Sequence, residues 1–204
     1  MNLSTRMILV LTSVGLISGG FLAGVATLTK EKIALNVQAE IEEAIQEVVD
    51  DAEVNTVLHE EENLVIYQET GKEGMIAGYA VQATGVGFQD KITLMFGLDP
   101  ALEKITGLTI IDQKETPGLG AKIEDWDAFL KFWENRNASG PLSLRKPPVS
   151  DIKKLPPDEV NTITAATISS QKVLDIVNSS LERARKLLQQ GKGETKEQDG
   201  NEKH

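Results

Sequence analysis

The chain has 204 residues, 40% of them hydrophobic, and its 31 acids against 21 bases give a formal charge of −10. That length holds one ordinary domain with extensions, and so acidic a surface repels a phosphate backbone, which argues against nucleic acid as a partner. There is no cysteine, and His59 and His204 are the two histidines, which excludes disulfides, thiolate zinc, iron–sulfur ligation, a histidine-based triad and a multi-histidine metal site.

The first element is apolar. From Met7 to Leu28 run 22 residues without a charge, close to the roughly 20 that cross a bilayer core as a helix. Residues 7–29 therefore read as a transmembrane anchor, and residues 1–6 as a cytoplasmic N-terminus. A cleaved signal peptide is the rival reading, because "GVA" before Thr27 has the small residues of a cleavage site. Arg6 on one side and Lys30 and Lys32 on the other leave the positive-inside count undecided. Between Ile33 and Gly71 there are eleven acids and no Lys or Arg, which favours export of the large domain.

Residues 30–50 place Ile33, Val37, Ile41, Ala44, Ile45 and Val48 at three- and four-residue spacing, an amphipathic helix continuing from the span. The main domain, residues 51–190, begins with the strand-like runs "NLVIYQE", "IAGYAVQAT", "KITLMFGLD" and "ITGLTIID". Too little sequence separates them for crossover helices, so the sheet is mainly antiparallel and the fold class α+β. Trp126, Phe129, Leu130 and Trp133 stand at i, i+3, i+4 and i+7, which predicts a helix opening near Glu124 with these four on its core face. A proline-punctuated crossing, "SGPLSLRKPPVSDIKKLPPDE", follows. A last helix from about Ser170 to Gln190 turns Val173, Ile176, Val177, Leu181, Ala184, Leu187 and Leu188 inward. The polar tail, residues 191–204, reads as disordered.

Two stretches are candidates for chemistry. In "NTITAATISSQKV", Asn161 to Val173, the hydroxyl residues Thr162, Thr164, Thr167, Ser169 and Ser170 crowd the entry to the last helix. The first N–H groups of a helix lack internal partners and its dipole end is positive, so a phosphate on or beside Thr167 would be stabilised there. Ala165 and Ala166 are small enough to admit a bulky group. The plain alternative is that Thr167, Ser169 and Ser170 only cap the helix. In "ETPGLG", Glu115 to Gly120, Pro117 sets one backbone angle, while Gly118 and Gly120 permit positive φ and close approach of a flat ligand. Read alone it is a β-turn, just as "GVGFQDK", Gly85 to Lys91, is a hairpin connection.

An N-terminal span, then "GFQDKITLMFGLD", "ETPGLGAKI", a Trp/Phe segment and "TITAATISS" at a helix start, in that order, resembles the FMN-binding domain family. In particular the chain resembles the G subunit of Rnf electron-transport complexes, with the C subunit of the sodium-translocating NADH:quinone reductase as near neighbour. The resemblance spans the anchor and roughly Lys30 to Leu188. It implies FMN held covalently by a phosphoester to the Thr of a Ser/Thr-Gly-Ala-Thr motif, installed by a flavin transferase that uses FAD. Thr164, Ala165, Ala166 and Thr167 occupy that motif, so Thr167 is the implied acceptor. Glu115, Thr116, Gly118, Leu119, Gly120, Lys122 and Ser169 are the implied surroundings of the cofactor.

The resemblance further implies an electron-carrier subunit of a ferredoxin:NAD oxidoreductase complex coupled to ion translocation. Its partners would be the other subunits, the transferase and membrane lipid. It would sit as a single-pass protein of the cytoplasmic (inner) membrane with its domain on the periplasmic or extracellular side. No GxGxxG follows a strand, so direct nicotinamide chemistry in this chain is not expected. Two positions depart from the family pattern. Ala165 replaces a usual Gly, which demands that this position avoid positive φ, and Asn161 replaces a common Asp, removing a charge. These two motivate a reading from another class, a membrane-anchored binding or assembly module without covalent flavin.

Overall fold

The computed structural model describes residues 2–72 and 74–199. The chain divides into two units, Met1–Glu42 and Glu43–His204. A single helix, α1, runs over Leu3–Val48, and its N-terminal part is long and apolar enough to cross a membrane. Some of its hydroxyls are satisfied locally: Ser13 and Thr27 donate to the carbonyls four residues back, Leu9 and Ala23, at 2.8 and 2.9 Å, which suits them to an apolar surface. The stripe predicted for residues 30–50 buries only its C-terminal end. Ala44, Ile45, Val48 and Val49 are buried, whereas Ile33 and Val37 are exposed. Helical spacing marks the stripe, but only the last two turns have a sheet to cover.

The second unit is built on a six-stranded antiparallel meander: β1 (Val54–Glu61), β2 (Leu64–Thr70), β3 (Ile76–Val86), β4 (Lys91–Leu98), β5 (Lys104–Asp112) and β6 (Arg136–Asn137). The class is α+β, as expected. Strand β1 escapes a reading from apolar runs because "VNTVLHEE" is an exposed edge, paired on one side with β2. A parallel pair, β7 (Ser143–Arg145) and β8 (Glu159–Asn161), forms a second small sheet.

Helix α2 spans Thr167–Asp199, starting three residues before the expected boundary and extending past Gln190. The tail's last residues, 200–204, lie outside the described residues. Val173, Ile176, Val177, Leu181, Ala184 and Leu188 are buried on α2 as the spacing predicts, against Leu64, Ile66, Val81, Leu94 and Phe96 of the sheet.

The α-helix expected from Glu124 does not form. Its place is taken by two short 3-10 turns, Gly120–Glu124 and Leu130–Trp133, joined by irregular backbone. Phe129, Leu130 and Trp133 are buried as expected, with the Phe129 and Trp133 rings edge-to-face at 5.7 Å. Trp126 is not; it is 55% exposed. Asp125 accepts from the Ala128 N–H through its side chain at 2.8 Å. That bond has the pattern of a helix N-cap, yet the backbone beyond it stays irregular, so the i, i+3, i+4 spacing marks core residues here without a helix.

One buried carboxyl stands outside the core. Glu69, near the end of β2, pairs in register with Asn55 and Gly78 and is 1% exposed, and its Oε1 has no hydrogen-bond partner. Gly78 lies directly under Val49, the residue after α1: a Cβ there would be 3.1 Å from Val49 Cγ1. Burial pushes the Glu69 carboxyl up to about 7.

Candidate functional site

The hydroxyl-rich stretch separates into parts with different duties. After β8 the chain makes a tight turn closed by Ala166 N–H donating to Ile163 O at 3.1 Å. Thr164 and Ala165 are its two exposed corners. Ala165 has φ +66°, opposite to the expectation that an alanine here would keep the position out of the left-handed region. Turn closure overrides the Cβ penalty, which is on the order of 1–2 kcal/mol. Ala165→Gly is therefore expected to stabilise the domain by about 1 kcal/mol, read as a raised midpoint in chemical denaturation.

Thr167, half-buried, is the first residue of α2. Ser170 N–H makes a helical bond to Ala166 O at 3.1 Å, so the three N–H groups before it, those of Thr167, Ile168 and Ser169, have no acceptor inside the helix. The serines were expected as caps or phosphate-facing groups, and their hydroxyls are engaged elsewhere. Ser170 Oγ accepts from Ile163 N–H at 3.1 Å and donates to Ala166 O at 3.0 Å, bracing the turn. Ser169 Oγ donates to Glu115 Oε2 at 2.5 Å.

That last bond joins the two motifs. Glu115, 3% exposed, also accepts on Oε1 from the Phe88 and Gln89 N–H groups at 2.7 and 3.1 Å. Gln89 Nε2 in turn donates to Thr116 Oγ1 at 2.8 Å. Gly120 has no room for a side chain, because a Cβ would lie 2.6 Å from Ser169 Oγ and 2.8 Å from Glu115 Oε2. Gly118 supplies the positive φ, +74°, that the loop needs. The structure thus brings Glu115, Thr116, Gly120 and Ser169 into one contact network, with Leu119 exposed at its edge. Gln89 and Phe88 belong to it as well. Their hairpin was legible, but pairing with a loop 26 residues on leaves no local signal in the sequence.

Lys122 stands apart from that network. It lines a cleft of about 420 Å³ with Lys131, Phe132, Asn161, Ile163 and Thr164. Asn161 is buried there and grips the backbone of one residue: its Nδ2 donates to Val149 O at 2.6 Å while its Oδ1 accepts from Val149 N–H at 3.0 Å. An aspartate could make the second bond but not the first, so the amide is matched to its place in this fold.

Two glycine loops and the hydroxyl turn thus converge on the start of the helix that covers the sheet. Residues 87–182 match the model of the FMN-binding domain family. The chain resembles the G subunit of an ion-translocating oxidoreductase complex from Methanosarcina acetivorans. The two are 27% identical over 185 residues, covering 87% of this chain and 93% of that one. It is 32% identical over 124 residues to the G subunit of the Na(+)-translocating ferredoxin:NAD(+) oxidoreductase complex of Acetobacterium woodii, covering 60% of this chain and 56% of that one. Among solved structures, the C subunit of the Na(+)-translocating NADH-quinone reductase from Parabacteroides distasonis aligns with TM-score 0.48 and 24% identity, covering 61% of each chain.

Proposed function

We propose that this chain is an electron-carrier subunit of a membrane-bound, ion-translocating oxidoreductase of the ferredoxin:NAD type, with FMN joined by a phosphoester to Thr167. The family match supports FMN, and the complexes to which the Methanosarcina and Acetobacterium relatives belong support the assembly. The observation that carries the attachment point is the position of Thr167. It is a half-buried hydroxyl opening a helix whose neighbouring serines are already bonded to protein.

The residues present fit the group. A phosphate ester on Thr167 Oγ would meet the unpartnered N–H groups of the first turn and the positive end of the α2 dipole. In forming it, Thr167 Oγ would bond to the FMN phosphorus of FAD as the P–O–P bond broke, with AMP as the leaving group and the hydroxyl proton passing to the transferase. The exposed apolar side chain of Ile168, the next residue along α2, offers one apolar surface near this position for a flat ring. When bound, FMN supplies the electron-transfer chemistry. The chain's own part is to hold the phosphate, bed the ring and anchor the domain at the membrane through α1, with the complex's other subunits and lipid around it.

The direct test is intact mass. Protein made with the transferase is expected to carry the increment of one FMN and to fluoresce as a denatured gel band. An unshifted, dark protein would sink covalent attachment and leave the binding or assembly module. Orientation is tested by Glu62→Cys, since the chain has no cysteine of its own. Labelling in intact cells is expected for an outward-facing domain, and labelling only after lysis would reverse that topology.

A further inference from the structure

Glu115 and Ser169 do more than fill the interior beside the flavin position. We propose that Glu115, acting through Ser169, is a positioning residue. By pinning the first turn of α2 it sets the direction in which Thr167 presents its hydroxyl to the phosphorus of FAD. This rests on the reading of Thr167 as acceptor.

Successive helical residues are rotated by about 100°, so side chains two apart point about 200° from each other around the axis. Ser169 is two residues after Thr167. With Ser169 held inward at 3% exposure and Ile168 turned out at 54%, the Thr167 hydroxyl is left on the far side of the first turn. The rotation of that turn is thus set by where the Ser169 hydroxyl is tied.

The tie is built from elements distant in the chain. The carboxylate takes Ser169 on one oxygen at 2.5 Å and the Phe88 and Gln89 N–H groups on the other at 2.7 and 3.1 Å. Two glycines close over it, since a Cβ on Gly87 would lie 2.6 Å from Glu115 Oε1 and one on Gly120 would lie 2.8 Å from Oε2. Burying a carboxylate costs free energy that such charge-assisted bonds offset, and a core position needing only bulk would not require it. The neighbouring turn also needs holding. Ala165 sits at φ +66°, a conformation that persists only where the surroundings impose it. Ser170 braces it from within the turn, and the Ser169 bond to Glu115 fixes the helix start that follows it.

The formation of the Thr167 Oγ–phosphorus bond, with cleavage of the FAD anhydride and departure of AMP, requires the hydroxyl in line with the leaving group. A misdirected hydroxyl slows it. The test follows FMN incorporation over time by intact mass, using full-length protein in detergent with transferase and FAD. Ser169→Ala should remain folded yet be modified about tenfold to a hundredfold more slowly, the range expected when a reacting group is misplaced. Val177→Ala, a core truncation in the same helix, should lose at least as much thermal stability and still be modified at the native rate. In Glu115→Gln the amide can donate to Ser169 Oγ while its oxygen keeps both N–H groups, so its rate should stay within about threefold of native, the tie being preserved.

Native-rate modification of Ser169→Ala overturns the proposal. So does a slowing of Ser169→Ala that Val177→Ala matches, and so does a loss in Glu115→Gln as large as that in Ser169→Ala. A native protein that takes up no flavin removes the acceptor reading itself and this inference with it.

Discussion

Thr167→Ala is expected to abolish covalent flavin, leaving the mass of the bare chain and a dark band, while Thr164→Ala keeps full incorporation. Both residues bear a hydroxyl in the same short turn, but they stand differently. Thr164 is an exposed corner of the turn closed by Ala166 N–H, whereas Thr167 opens α2. Only at Thr167 would a phosphate ester fall within reach of the unpartnered N–H groups of the first turn. Alanine is the best helix former, so Thr167→Ala should change stability by no more than about 0.5 kcal/mol. Loss of flavin therefore cannot be ascribed to unfolding. Fluorescence retained in Thr167→Ala and lost in Thr164→Ala would move the acceptor to the turn itself.

A second large effect concerns Glu69 and pH. Its carboxyl titrates near 4.5 in a free side chain and at about 7 in the fold, because burial penalises the charged form. Between those values the folded protein binds more protons than the unfolded chain, so stability falls as pH rises. The full contribution is present below about 4.5 and is lost as pH rises through about 7, with a span of up to about 3 kcal/mol at 1.36 kcal/mol per pH unit. Glu69→Gln keeps the shape and cannot ionise. It should match the native domain near pH 5 and exceed it by about 2–3 kcal/mol at pH 8, as read in urea denaturation series at both values. Glu61, Asp90 and Glu182 have carboxyls lowered by their bonds to His59, the Lys91 N–H and Lys186 respectively. Their titration falls on the acid side of this window, and comparing native with Glu69→Gln cancels it. Equal slopes for the two proteins would show that Glu69 is charged and accommodated in the fold.

The consequence is local. Glu69 lies beside Gly78, which packs under Val49 where α1 gives way to the sheet. Ionising it loads charge into the packing between Val49 and the sheet inside the main domain, so the pH-dependent part of the stability should reside there.

Much of the fold was legible because its signals are local. Alternating apolar residues marked β2 to β5, a 3.6-residue period marked the inner face of α2, and uncharged length marked the apolar part of α1. Where a prediction failed, the spacing marked buried residues without a regular helix around them, as at Phe129, Leu130 and Trp133, or an edge strand had no second neighbour to cover it, as with β1. The site was legible as motifs and as a family, but not as a network. Glu115 and Ser169 are separated by 54 positions in the chain and by 2.5 Å in the fold.

The two departures show the division most clearly. From the sequence, Ala165 argued for a backbone without positive φ and Asn161 for a missing charge. In the fold, turn closure holds Ala165 at φ +66°, and Asn161 uses both ends of its amide on the backbone of Val149. Periodicity, span length and motif order belong to the sequence, since each is written within a few neighbouring residues. The conformation of a turn and the partner of a buried polar group are decided by elements far along the chain, and only the tertiary structure sets them.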